Sequence, residues 1–541
     1  MTPVKFKILT LLLAFFASSA QMKADHLMGG ELTWTCLGSG SYKFHMVLYR
    51  DCSFPSSIGT GSVLIQNNIL GGPSINLTLY SQNDISPNGF YANGDSSCWN
   101  CLQGTITSGN VASTIERYYF ESNPISIPGI PPPGGWVFWY ETCCINTTVT
   151  NVNYAGLLGF LRIESRMFAS INQVAGICDD SSPDFVEEPS FMACIGVDNE
   201  LQHLSIDPDD DFLVYEYTSA ITELGATVPM TSGYTVAQPL PGVVQNPLNT
   251  FTNINMYNGE VLFNSYTTGR FMINVKVSSY RDAIKISEIT RCYPVIITAN
   301  CPPISGSTYN FEPVLDAPFF DTTSSSFTLY EDTVFAGDVV NFSSAALEFD
   351  IFENGAYQEC IFSVAGSQFG TNFNSSTTGC LQPPCATIDI AVPDTFLFAQ
   401  SFVFNWQTTT SHLNTFGWNP AKTYYFLFRV TDNYCPVNGS KARIVSITVV
   451  DSTVGVESLN TQVQIKIFPN PAKDGIYSVN FKNVKDENFP VTISNINGQT
   501  ITHKHFNYFK EESKGILDLS SQPSGIYILR IGDSVSRIVK L

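Results

Sequence analysis

The sequence predicts an all-β protein: a disulfide-stapled N-terminal β domain, two tandem immunoglobulin-like sandwiches and a small C-terminal β-sandwich. Three observations predict it. Bulky apolar residues alternate with polar ones in short runs along the chain, the period of a half-buried strand. Charged residues make up 14% of the chain while Phe, Tyr and Trp reach 13%, and clusters of Gly, Pro, Asn and Ser break the runs where turns are needed. Fourteen cysteines follow an apolar leader, which places them in an oxidising compartment. No amphipathic helix longer than the leader is found.

The leader comes first. Lys5 and Lys7 give a basic start, Ile8 to Ala17 an apolar stretch too short to span a bilayer, and Ser18-Ser19-Ala20 a small-residue cleavage site. Residues 1–20 therefore read as a signal peptide, with Ala24 as the alternative cleavage point. No cysteine follows either site, which argues against a lipoprotein. No later stretch reaches about 18 apolar residues, so no membrane span is expected. The net charge of −20 repels nucleic acid and anionic lipid, and suits divalent cations at a cell surface.

The Cys-rich β domain is expected at 25–196. Its opening stretch, DHLMGGELTWTCLGSGSYKFHMVLYRDCS, alternates at Leu32-Trp34-Cys36 and again at Tyr42-Phe44-Met46-Leu48, with Gly38-Ser39-Gly40-Ser41 between: a β-hairpin. Cys36 lies at the turn end and Cys52 at the far end, about 30 Å away at the strand rise. A disulfide needs Cα atoms within roughly 7 Å, so each seeks a partner elsewhere. Cys178 and Cys194 flank one loop and are expected to pair. Vicinal Cys143 and Cys144 point to opposite faces of a strand and should serve two bridges. Cys98 and Cys101 read as disulfide partners rather than a zinc or redox motif, there being no second CxxC. Trp136, Trp139 and Tyr140 read as core aromatics, with a sugar-stacking platform as the alternative.

An immunoglobulin-like sandwich is expected at 197–300 and a second at 301–452. "RFMINVKVSSYRDAIKISEITRCYPVIITAN" from Arg270 parallels "YYFLFRVTDNYCPVNGSKARIVSITVVD" from Tyr424. In both, an alternating strand, a polar turn and a second strand follow one another. These modules are similar to cadherin-like or PKD-type sandwiches. Near the first junction, "LSIDPDDDFLVYEY" gathers Asp207, Asp209, Asp210 and Asp211 on one turn. Hard carboxylates on a turn suit Ca²⁺, which takes six to eight oxygens; Asp207, Asp209 and Asp211 are the expected ligands, and a solvated acidic turn is the other reading.

A linker at 453–462 precedes a module at 463–541. Phe468-Pro469-Asn470-Pro471, Asn497-Gly498-Gln499, and Leu519 through Pro523-Ser524-Gly525-Ile526-Tyr527, ending in Lys540, together resemble the type A C-terminal sorting domain of the Bacteroidota type IX secretion system. The resemblance implies outer-membrane translocation with this domain as the address. The opening stretch resembles the start of Bacteroidota surface proteins described as gliding-motility-associated or adhesin-like, through His26, Gly29, Gly30, Glu31, Trp34, Cys36, Tyr49, Arg50, Asp51 and Cys52. It implies location and architecture, and no catalytic residue.

Six histidines are present and none forms HExxH; there is no GxSxG and no P-loop. His503 and His505 read as exposed and inert. The expectation is a non-enzymatic secreted or cell-surface protein, adhesin-like or a surface scaffold, with a link to gliding. Its partners would be the type IX machinery and surface glycans or other surface proteins. A secreted hydrolase or a carbohydrate-binding protein is the alternative.

Overall fold

The computed structural model describes residues 27–451 and 464–540, apart from short internal stretches of which the longest are 102–113, 300–309 and 370–378. The leader, His26, the linker, Cys144 and Asn497-Gly498 lie outside the described residues, as does the side chain of Cys143. The chain divides into two compact units, residues 1–451 and 452–541. Among the described residues there is no α-helix, and no helix is long and apolar enough to cross a membrane. The fold is all-β, as the alternation predicts.

The hairpin forms as read: β1 (Leu27–Cys36) and β2 (Ser41–Asp51) pair with Trp34 opposite Phe44. β3 (Ser62–Asn67), β4 (Ile75–Asp84), β5 (Ile115–Ser122), β6 (Ile125–Ser126), β7 (Trp136–Cys143) and β8 (Phe160–Met167) follow. Next come the short β9 (Asp184–Phe185), β10 (Met192–Cys194), β11 (Asp198–Leu201) and β12 (Ser205–Ile206). β13 (Phe212–Tyr217), β14 (Asn253–Ile254), β15 (Val261–Asn264) and the long hairpin β16 (Gly269–Arg281) and β17 (Ile284–Thr298) complete the body.

One sheet runs β1-β2-β5-β4-β3-β7-β8-β17-β16-β13 and returns on itself, because Gly30 of β1 pairs with Cys292 of β17. The length of β17 makes this possible. It pairs with β16 along one edge. On the other it meets β8 at Ser287–Ile289, β1 at Cys292 and, in parallel, β10 at Ile296–Thr298. Gly29 allows the closure, and Gly30 lets β1 lie tight against β2. A Cβ on Gly29 would stand 1.8 Å from the Cys292 carbonyl oxygen, and one on Gly30 2.2 Å from that of Val47, so neither position has room for a side chain. Leu32, Trp34, Phe44, Met46, Tyr118, Phe120 and Phe138 fill the interior.

Two expectations are corrected here. The boundary between 196 and 197 falls inside a single body, since β13, β16 and β17 share the sheet and the apolar core of the N-terminal strands. And Cys178 bonds to Cys36, not to Cys194, which is itself disulfide-bonded elsewhere. The loop between them does not close on itself because β10 carries Cys194 away to the edge of β17. Cys52 pairs with Cys101, and Cys98 with Cys435, so Cys98 and Cys101 are structural disulfide cysteines as read, each bonded to a distant partner and not to the other. Trp136 is buried, Trp139 is covered by the Arg162 guanidinium 4.3 Å from its ring, and Tyr140 packs half-buried against the core, so the three do not form an open stacking platform.

Residues 311–451 form a sandwich of a four-stranded and a five-stranded sheet. The strands Val339–Leu347 and Ala399–Gln407 face Lys422–Thr431 and Ser440–Val450 across a core of Phe342, Phe362, Phe404, Trp406, Phe426 and Phe428. It seats on the first body through an apolar seam in which Val186, Leu204 and Ile206 meet Leu427, Ala442 and Ile444. Cys98–Cys435 crosses the same seam, as do ion pairs of Arg429 with Glu187, Arg443 with Glu200 and Lys422 with Asp210.

The C-terminal unit is a sandwich of three and four strands around Tyr477, Val479, Val491, Ile493, Leu517, Leu529 and Ile538. Its signature residues hold it shut. Asn470 accepts from the Val539 N–H at 2.8 Å and donates to the Arg537 carbonyl, and Tyr527 donates to the Pro523 carbonyl. The Lys540 ammonium donates to the carbonyls of Leu519, Ser520 and Gln522.

Candidate functional site

Alternation along three neighbouring strands sets one wall of a cavity of about 410 Å³ at the seam. Glu31 and Thr33 on β1, His45, Val47 and Tyr49 on β2, and Arg117 and Tyr119 on β5 all carry odd numbers and share the outer face of the sheet. Register places Tyr49 opposite Arg117 and Val47 opposite both Glu31 and Tyr119. The segment Asp184–Glu188 and Arg291 of β17 form the floor, and Ser363 and Arg429 of the sandwich overhang it.

The charges are matched almost completely. Arg291, 1% exposed, holds Glu31 with two hydrogen bonds, one from Nη2 at 2.8 Å and one from Nε. Its Nη1 donates to the Glu187 carbonyl at 2.8 Å, and its guanidinium lies 3.8 Å from the centre of the Phe185 ring. Arg117 Nε stands 2.7 Å from Glu188, which also accepts from the Tyr49 hydroxyl at 2.7 Å. Arg429 pairs with Glu187. His45 is sandwiched in hydrogen bonds with the Tyr119 hydroxyl (2.8 Å) and the Thr35 hydroxyl (3.1 Å), and burial lowers its pKa, so the ring is neutral at pH 7. Asp184 is the exception: its side chain is exposed to the cavity, yet protein surrounds it. Burial, reinforced by the Glu31 charge, pushes its carboxyl up to about 6.

The acidic turn lies elsewhere, between β12 and β13. Asp207, 4% exposed, accepts the N–H groups of Asp209 (2.9 Å) and Asp211 (3.3 Å) on Oδ1. Asp209 accepts the Ser181 N–H at 2.6 Å, and Asp210 is taken by Lys422 and Gln382. Asp211 is gripped by both arms of Arg281, at 2.8 and 2.6 Å, whose Nη2 also reaches Asp180 at 3.3 Å. So the three carboxylates expected to share Ca²⁺ are engaged with protein donors, and a guanidinium supplies the positive charge. Among the described residues no group of three or more His, Cys, Asp or Glu is placed to hold a metal ion. Asp180 and Asp207 each keep one buried oxygen without a hydrogen bond among the described residues. Burial, then the neighbouring carboxylates, push both well above the usual range. Asp180 was missed in the sequence because it sits on a separate loop that only the fold brings to the turn.

The residues carrying the N-terminal resemblance have structural duties: Gly29 in closure onto β17, Gly30 in the close approach to β2, Trp34 donating to the Asp180 carbonyl at 3.0 Å, Cys36 and Cys52 in bridges, and Arg50 paired with Glu116. Glu31 and Tyr49 line the cavity, and no pattern in the sequence announced that.

No curated protein matches the chain. Among solved structures, it is similar to a chain of the CsuC–CsuE chaperone–tip adhesion subunit pre-assembly complex of Acinetobacter baumannii, at 8% identity and a TM-score of 0.16, over 40% of this chain and 97% of that one. It is also similar to Escherichia coli alpha-2-macroglobulin activated by porcine elastase, at 9% identity and a TM-score of 0.13, over 94% of this chain and 44% of that one. Likenesses this loose carry no argument. The tail is different: residues 466–541 match the secretion system C-terminal sorting domain family, and the chain is thereby cargo of the type IX secretion system.

Proposed function

We propose that the exported protein is a non-catalytic, adhesin-like scaffold held at the cell surface, meeting surface glycans or other surface proteins. The observation that carries this reading is the stapled seam. A disulfide, four ion pairs and an apolar patch lock the body at 27–298 to the sandwich at 311–451, a construction suited to bearing load rather than to opening around a substrate. The cavity supports it too. Glycoside hydrolysis by the usual route needs two carboxyl groups free to act, and in this cavity three of four carboxylates are tied to guanidinium groups. The test is twofold. Cells lacking the protein should lose surface attachment or spreading that a plasmid copy restores, and the purified protein should leave glycans and casein intact. Robust turnover of either substrate overturns the reading, as does unaltered attachment and gliding in the deletion strain.

A further inference from the structure

We propose that the seam cavity binds a small monocation through its primary ammonium, with Asp184 as the counter-ion. Charge matching leads to this. The walls hold four carboxylates, of Glu31, Asp184, Glu187 and Glu188, against three guanidinium groups, and each guanidinium already has a carboxylate partner. Asp184 alone faces the cavity without an ion-pair partner in contact among the described residues: its carboxylate accepts the Phe185 N–H and feels Arg291 and Arg117 only through space, and its backbone is pinned by pairing with Ile206. One unmatched carboxylate facing a half-open cavity of this size favours a ligand of charge +1.

The remaining surface narrows the class. The Ser363 residue of the sandwich lines the same cavity and brings a hydroxyl to it, so an oxygen near the ammonium has a hydrogen-bonding partner. The aromatic faces are already covered: Phe185 by Arg291, and Tyr119 by Arg117 at 5.2 Å and by the parallel His45 ring at 6.0 Å. A neutral sugar that relies on stacking therefore finds no open ring. What fits is an ammonium with a hydroxyl or amide carbonyl beside it, and the volume admits a ring of that kind. Two sources supply this chemistry, a free amino sugar and the N-terminus of a peptide.

The site goes beyond the scaffold reading and stands independently of it. The test is calorimetric titration of the purified, disulfide-intact protein with glucosamine, glycinamide and N-acetylglucosamine. Glucosamine or glycinamide should bind, the tighter of the two identifying the source. N-acetylglucosamine, which lacks the charge, should bind at least about tenfold more weakly, the equivalent of about 1.4 kcal/mol. Asp184→Asn should weaken the amine by a similar factor. Equal binding of the acetylated sugar overturns the proposal, as does no heat from either amine at about 10 mM, beyond the weakest affinity a built site would show. The comparison of free and acetylated amine on the unaltered protein decides the matter even if Asp184→Asn folds poorly. Chemical turnover of the bound amine would instead overturn the non-catalytic reading and leave the site intact.

Discussion

Replacing Glu31 by alanine should destabilise the closed sheet more than any exposed substitution can. Glu31 and Arg291 are 5% and 1% exposed, and two charge-assisted hydrogen bonds join them. Bonds of that type contribute about 1.5–3 kcal/mol each. Loss of both leaves Arg291 in contact with only the Glu187 carbonyl and the Phe185 ring, while the carboxylates of Asp184, Glu187 and Glu188 attract it through space without a hydrogen bond. Removing one partner of such a pair costs about 3–5 kcal/mol, while replacing both with apolar residues of similar volume is often neutral. The assay is urea unfolding followed by tryptophan fluorescence, since Trp34 is fully buried on the same strand. Glu31→Ala should lower stability by about 3–5 kcal/mol, and Glu31→Leu with Arg291→Met should recover most of it. A cost for Glu31→Ala below about 1 kcal/mol, the value of an exposed ion pair, would refute the reasoning.

Three further outcomes are expected. Deleting residues 463–541 should leave the protein in the periplasm, measured by fractionation; normal delivery without them would remove the tail's role as address. The carboxyls of Asp180, Asp184 and Asp207 are raised above the ordinary 3.8 of the unfolded chain, so over that range the folded state binds more protons and stability falls as pH rises. For Asp184 the window runs from about 3.8 to about 6, and Asp180→Asn, which keeps an oxygen for Arg281, should flatten the pH dependence of unfolding; an unchanged slope would sink this account. Gly29→Ala places a Cβ 1.8 Å from the Cys292 carbonyl oxygen and should cost more than about 3 kcal/mol, beyond ordinary point substitutions; a neutral variant would show that β1 and β17 need not approach so closely.

How legible was all this? The hairpins were, because period-two alternation and Gly-Ser or Asn-Gly turns are local signals: β1–β2, β16–β17 and the pair Lys422–Thr431 with Ser440–Val450 stand where the sequence put them. The refusal of Cys36 and Cys52 to pair was legible from strand rise alone. What a local reading could not supply was pairing at long range. β17 joins β1, 262 residues away at the Gly30–Cys292 bridge, and nothing in either segment names the other, so one body was read as two. The same gap hid the cavity. Glu31, Asp184, Arg291 and Arg429 belong to four distant segments, and only closure of the sheet and seating of the sandwich assemble them.

The bond between Cys98 and Cys435 spans 337 residues, and that distance constrains biogenesis. During vectorial export Cys98 emerges with Cys52 and Cys101 close at hand and its own partner still far behind in the queue. Any thiol oxidised in order of arrival would trap Cys98 with one of those two neighbours. Reaching the native set then requires either that Cys98 stay reduced until the sandwich has appeared, or that a mispaired bridge be reshuffled by thiolate attack. A periplasm stripped of its disulfide isomerase should accumulate a scrambled form in which Cys435 is free, detectable by alkylation and mass mapping. The staple that stiffens the seam is thus also a proofreading mark, formed only when both halves have arrived and docked.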